Sequence, residues 1–230
     1  NVNNVLTRAI TGLSENTTYY FRVRAYNGYG TGISSANGAA LTSPAAPVST
    51  AASSVTGSSF VSNWNASAGA TGYYLDVSTV SNFATFVTGY NNVDVGSATS
   101  RYISVSSAGS DYYYRVRAYN AGGTSPNSLA QTVTTAPPAP AAAAATAVTA
   151  TSFQANWSAA SGATGYRLDV STASDFSALL AGYDDLNVNN VTNYTVTGLT
   201  AGTPYYYRIR GYNGTGLSIN SNVITVVTIP

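Results

Sequence analysis

Tyr205-Tyr206-Tyr207-Arg208-Ile209-Arg210-Gly211-Tyr212-Asn213 is the third statement of one phrase. Residues 19–27 read YYFRVRAYN and residues 112–120 read YYYRVRAYN, so the phrase returns every 93 residues. Within it Tyr205, Tyr207, Ile209 and Gly211 share one face and Tyr206, Arg208, Arg210 and Tyr212 the other, which is the period of a half-buried β-strand. A fixed period of 93 is too long for a solenoid and long enough for a domain, so the chain reads as tandem copies of one fold.

Working outward, residues 1–44 match 94–137 and 187–230, and the opening NVNNV recurs at Asn187 to Val191. The spacing therefore predicts the closing part of a module at 1–44 and complete modules at 45–137 and 138–230. On this reading the opening strands of the first module are encoded upstream, in a longer polypeptide. The joints carry Pro44-Ala45-Ala46-Pro47 and Pro137-Pro138-Ala139-Pro140. Proline cannot donate to a ladder and favours extended backbone, so these are short, stiff connections and the modules are expected to form a rod.

Each full module repeats one strand order. Phe60, Ser62 and Trp64 alternate inward, as do Phe153, Ala155 and Trp157; Tyr73, Leu75 and Val77 follow, matched by Tyr166, Leu168 and Val170. A loop with Phe83 and Gly89-Tyr90, or Phe176 and Gly182-Tyr183, leads to a strand near Ile103 or Val196. The tyrosine strand comes next, then a last strand near 129–133 or 223–227. In the first segment Thr7 to Ile10 reads as a short strand and Ala39 to Thr42 as the closing one. Ala141 to Ala145 has helical propensity, yet the prolines before it and the strand pattern after it predict extended chain. About seven short strands in some 90 residues spell an all-β protein of tandem, immunoglobulin-like β-sandwiches.

The tryptophan strands, GYYLDVS and GYRLDVS, and Gly198-Leu199 with Tyr205 six residues beyond the leucine resemble fibronectin type III modules, of the kind found in bacterial secreted and cell-surface proteins. The resemblance covers the whole chain and implies the sandwich. It leaves function open, because such modules serve as spacers, adhesins and filament elements. In the middle module Ser106 stands where Leu13 and Leu199 stand, and Asp111 where Pro204 stands. Losing a fully buried leucine forfeits about 1.5–3 kcal/mol, so a looser corner is expected before Tyr112.

Composition removes whole classes of chemistry. Charged residues make up 7% of the chain, and the net charge is +1, without any lysine. A nucleic-acid partner would need a basic stripe that is missing. Without Cys or His, thiolate sites, disulfides and the commonest general base are excluded. No apolar run approaches the roughly 20 residues of a membrane-spanning helix, so no membrane insertion is expected. Neither an enzyme nor a cofactor or metal site is predicted, and an extracellular or cell-surface location is.

The strongest candidate for function is the outward face of the tyrosine strand: Tyr113, Arg115, Arg117 and Tyr119, then Tyr206, Arg208, Arg210 and Tyr212. Tyr and Arg dominate binding hot spots, so this is a candidate interaction strip for self-association, other surface proteins or glycans. The plainer reading is a solvated ladder of stacked Arg and Tyr. Asp76 and Asp169 are expected to project outward beside it as exposed ion pairs worth about 0–1 kcal/mol. Asp184-Asp185 with Asn187, Asn189 and Asn190 has the look of a calcium loop, but the middle module has Asn91-Asn92 there, which favours a polar turn. Six N-x-Ser/Thr sequons begin at Asn16, Asn65, Asn156, Asn190, Asn193 and Asn213, in a chain whose Asn, Ser and Thr content makes chance matches common. Two functions fit: a structural or adhesive array of a surface protein or filament, self-associating, or spacer or carbohydrate-binding modules of a secreted polysaccharide-degrading enzyme.

Overall fold

Nineteen strands and no helix make up the chain, which the computed structural model describes over all residues 1–230. By contact the chain divides into two compact units. The first comprises Asn1–Ala51, Ser62–Arg101 and Tyr113–Gln131, and the second Ala52–Val61, Tyr102–Tyr112 and Thr132–Pro230, so the division crosses the strands of the middle module.

The second unit contains the last module entire. Strands β13 (Ala142–Thr146), β14 (Ser152–Trp157) and β17 (Asn193–Thr197) form one sheet in the order β13-β14-β17. The other sheet has β16 (Leu186–Asn189), β15 (Gly165–Ser171), β18 (Pro204–Tyr212) and β19 (Ile224–Val227), in that order. Alternation sends Phe153, Ala155 and Trp157 inward from one sheet and Leu168, Val170, Tyr207 and Ile209 from the other, all buried in one cluster. The ring of Phe153 stacks on Tyr207 at 5.7 Å and Trp157 meets Tyr166 at 5.8 Å. The Tyr207 hydroxyl, deep in this core, donates to the Ala143 carbonyl, and the Asn156 amide donates to it at 3.3 Å. A buried phenol thus keeps its polar end satisfied while its ring fills the core. Burial raises the Tyr207 pKa above its ordinary 10.0, and Tyr114 behaves alike. The alanine run is extended, as expected, and its ladder is interrupted by a register shift between Ala143 and Thr146.

The middle module repeats these elements. Strands β5 (Ser49–Ser53), β6 (Ser59–Trp64) and β9 (Ser100–Ser104) pair as β5-β6-β9. Around β10 (Asp111–Asn120) lie β7 (Gly72–Ser78), with β8 (Val93–Asp94) beyond it, and also β11 (Gly123–Thr124) and β12 (Gln131–Thr134). In the first unit Trp64 packs edge-on to Tyr73 at 5.9 Å; in the second Phe60 meets Tyr112 at 6.1 Å. Both tryptophans are buried.

The first unit also holds the leading segment, with β1 (Thr18–Phe21) paired to β4 (Gly38–Leu41), and β2 (Tyr26–Asn27) paired to β3 (Gly30–Thr31). Thr7 to Ile10 is not a strand here. Its counterparts, β9 and β17, pair with β6 and β14, and the leading segment has no such neighbour. The amides of Ser14, Ser107 and Thr200 donate to the hydroxyls of Tyr19, Tyr112 and Tyr205 at 2.7, 3.1 and 3.0 Å, so in every copy the first tyrosine of the strand bonds back to the turn before it as a tyrosine corner. The corner of the middle module keeps its bond although Ser106 supplies no apolar plug.

The joints are bonded in the same repeat. In the first unit the Asn120 side-chain amide donates to the Thr42 carbonyl at 3.1 Å, and in the second Asn213 donates to the Thr135 carbonyl at 3.0 Å. Each asparagine stands at the end of the tyrosine strand of its module or one residue beyond it, and each acceptor is the residue just after the strand that precedes a Pro-Ala joint. Fixing the chain on both sides of a short proline link leaves it few accessible conformations.

Candidate interaction surface

The outer face of the tyrosine strand is built from residues that alternate against its core side, and its neighbour on one flank is the LDVS strand. Register sets Arg115 opposite Asp76 and Arg117 opposite Tyr74; in the last module it sets Arg208 opposite Asp169 and Arg210 opposite Arg167. Strand alternation predicts both aspartates in solvent. Instead each is 2% exposed. The loop that follows the LDVS strand folds back over the outer face, and its backbone amide closes the site: Asn92 donates to Asp76 at 2.7 Å and Asp185 to Asp169 at 2.9 Å. Phe83 and Phe176 lie across the arginines, with guanidinium carbons 4.1 Å from each ring centre. Both phenylalanines hold positive φ, 57° and 61°, a conformation costly to a side chain with a Cβ and sustained by this packing.

The arginines are therefore engaged within their own module. Arg208 Nε reaches Asp169 at 2.8 Å, and Arg210 Nη2 reaches its two oxygens at 3.1 and 3.3 Å. Arg115 Nε reaches Asp76 at 3.0 Å, while Arg117 is 3.6 Å away. The difference follows from one substitution between the copies. Arg117 donates to the Asn92 side-chain carbonyl, whereas Arg210 meets the carboxylate of Asp185 at 2.9 Å, which also lies 3.6 Å from Arg167. Asp185 thus serves as an ion-pair partner in a turn. Breaking a buried, doubly paired carboxylate costs far more than breaking an exposed pair, because the partners are left without compensation.

The tyrosines of the strip split by position. Tyr119 packs on Tyr74 at 4.7 Å and donates to Asp94 at 3.0 Å, a bond that holds its phenol proton and raises its pKa. Tyr212 donates to Asn187 at 3.2 Å and lies under Arg167. Tyr113 and Tyr206 are half-buried. The strip is brought together as one face in each module, and much of its polar capacity is taken up internally. The sequence pattern places the two phenylalanines in a loop without assigning them to this face; that both stand seven residues after the aspartate is the one signal of their placement over the arginines.

Several sequon asparagines are also engaged. Asn213 holds Thr135, Asn156 donates to the Ala144 carbonyl at 3.0 Å, and Asn193 accepts from Gln154 at 3.2 Å. No three His, Cys, Asp or Glu side chains cluster as a metal site would require, and no helix is long and apolar enough to cross a membrane.

Residues 138–227 match the family model of the fibronectin type III domain. Over 204 residues, 81% of this chain, the sequence is 30% identical to Chitinase A1 of Niallia circulans, of which it covers 26%. A stretch of 41 residues, 18% of this chain, is 49% identical to a Kelch domain-containing protein of Saccharolobus solfataricus, covering 6% of it. The chain thus spans about a quarter or less of the curated relatives it matches. Among solved structures, the chicken CNTN1 FN1-FN3 domains align over 95% of this chain and 78% of that one, at 20% identity and a TM-score of 0.40.

Proposed function

With residues 138–227 a fibronectin type III domain and the same 93-residue module repeated ahead of it, we propose that the chain is a structural, non-catalytic array of an extracellular surface protein or filament, and that it self-associates. The observation that carries the reading is the repeated joint, in which Asn120 and Asn213 make the same bond to Thr42 and Thr135 one period apart. A chain selected only to tether would not need its links hydrogen-bonded in register; one that sets spacing gains from it. The outer tyrosines Tyr113 and Tyr206, half-exposed beside the arginine network, supply contact area for lateral association with another copy or another surface protein. Sheet edges without lysine add to this, since lysine is a common guard against edge pairing. Sedimentation equilibrium over rising concentration, with grids imaged at the top of the range, tests it: oligomers or polymers are expected, and a monomer throughout would overturn self-association.

The similarity to Chitinase A1 favours a second reading, in which these are accessory or spacer modules of a secreted polysaccharide-degrading enzyme. Co-sedimentation with insoluble chitin separates the two. Retention on chitin by a monomeric chain supports the second, and its absence from an associating chain supports the first.

A further inference from the structure

The two proline joints share their main-chain acceptors but carry different side chains where the modules touch. In the second unit, the turn before the tyrosine strand of the middle module meets the turn between β14 and β15 of the last module backbone to backbone, at Gly109 and Gly162. A Cβ on Gly109 would overlap the Ser161 carbonyl oxygen, and one on Gly162 would stand 2.5 Å from the Gly109 carbonyl oxygen. A second contact lies just past β18. There Thr215 fills the gap, and its hydroxyl donates to the Thr134 carbonyl at 2.7 Å. Glycine closes this joint at the first contact and threonine spans it at the second.

The joint in the first unit reverses this allocation. Asn16, one period before Gly109, stands over Gly69, the counterpart of Gly162, and a Cβ on Gly69 would fall within the Asn16 side-chain amide. The Asn120 side-chain amide donates to Asn16 Oδ1 at 3.4 Å as well as to the Thr42 carbonyl. Gly122, one period before Thr215, lies so close to the Leu41 carbonyl that any Cβ there would collide with it. Backbone conformation does not account for the exchange. Asn16 holds φ 47° and Gly109 φ 63°, a left-handed region that asparagine tolerates, and Gly122 has no positive φ. A side chain is excluded at 109 by the module that follows, and at 122 by the module that precedes.

We propose that the module ends are matched interaction surfaces, each accepting one kind of neighbour: a trailing end with asparagine at the first contact takes a leading end with glycine at the second, and a trailing end with glycine takes one with threonine. Exclusion enforces the match, because asparagine and threonine together overfill the joint and two glycines leave it without a bond. Module order is thereby written into the joints, whether the array is a filament or a spacer. The chain has no cysteine, so cysteines introduced for spin labels are unique, at the exposed Ser104 and Thr195 across the second joint and at Ala39 and Ser100 across the first. Double electron–electron resonance on the full chain should give one narrow distance distribution for each joint. G109N should broaden the second about twofold or more as the link reverts to a tether, and adding T215G should narrow it again. G122T should broaden the first, and adding N16G should narrow it. Rescue by a substitution in the neighbouring module is a readout that misfolding of either module could not give. Should G109N cost β10 its protection from amide exchange, the first-joint pair decides. Distributions unchanged by G109N and G122T, or double variants as broad as the single ones, overturn the proposal.

Discussion

The leading tyrosine strand and β18 carry nearly the same nine residues, and one is a buried element while the other is a surface ribbon. Val23 is 62% exposed and Ile209 fully buried, yet each donates its amide to the equivalent serine on one flank, Ser35 and Ser221. The alternation of a strand therefore encodes which residues can go inside. Whether they do depends on strands brought from tens of residues away.

The widest separation between the two should appear in core truncations. Ile209→Ala is expected to destabilise the last module by about 2–5 kcal/mol, through lost burial and the cavity left behind. Val23→Ala should change unfolding by about 0.5 kcal/mol or less, since the side chain is already in water. Urea denaturation of both variants checks this, and a large effect of Val23→Ala would mean that the leading strand is covered in solution.

A smaller contrast is expected on the outer face. Asp169→Ala leaves Arg208 and Arg210 without their shared carboxylate and should cost about 1–3 kcal/mol, moderated by the partial exposure of the guanidinium groups. Arg22→Ala, in the strand that lacks an aspartate, should be near neutral. Equal effects would break the claim that the buried carboxylate organises this face.

The smallest effect is a pH dependence. The neutral phenol of Tyr207 is favoured by burial, so its folded pKa lies above the 10.0 of the unfolded chain. Its stabilising contribution is complete below pH 10 and is lost as pH rises from there through the folded value. Tyr207→Phe should flatten the alkaline limb of the stability profile, measured by unfolding at a series of pH values above 9. An unchanged limb would assign alkaline sensitivity elsewhere.

The sandwich was legible because its signals are local or periodic. Two-residue alternation around Trp157 and Ile209 marks the inner faces, the turn before Tyr205 announces the tyrosine corner, and the 93-residue period divides the chain. Each of these is a property of neighbouring residues, or of a repeat that can be read along the sequence. The surroundings of Asp76 and Asp169 were not legible in that way. Alternation puts them on the outer side of their strand, where exposure to solvent is the expectation. The loop that buries them approaches from 16 residues along the chain, with Phe176 and the Asp185 amide arriving only when it folds back over the sheet. Module, strand faces and the turn before each tyrosine strand can be read along the chain, since steric alternation and turn chemistry act over a few residues. That the arginines are committed to a buried carboxylate emerges only once the chain is folded, because burial is set by what packs on a face and not by the face alone.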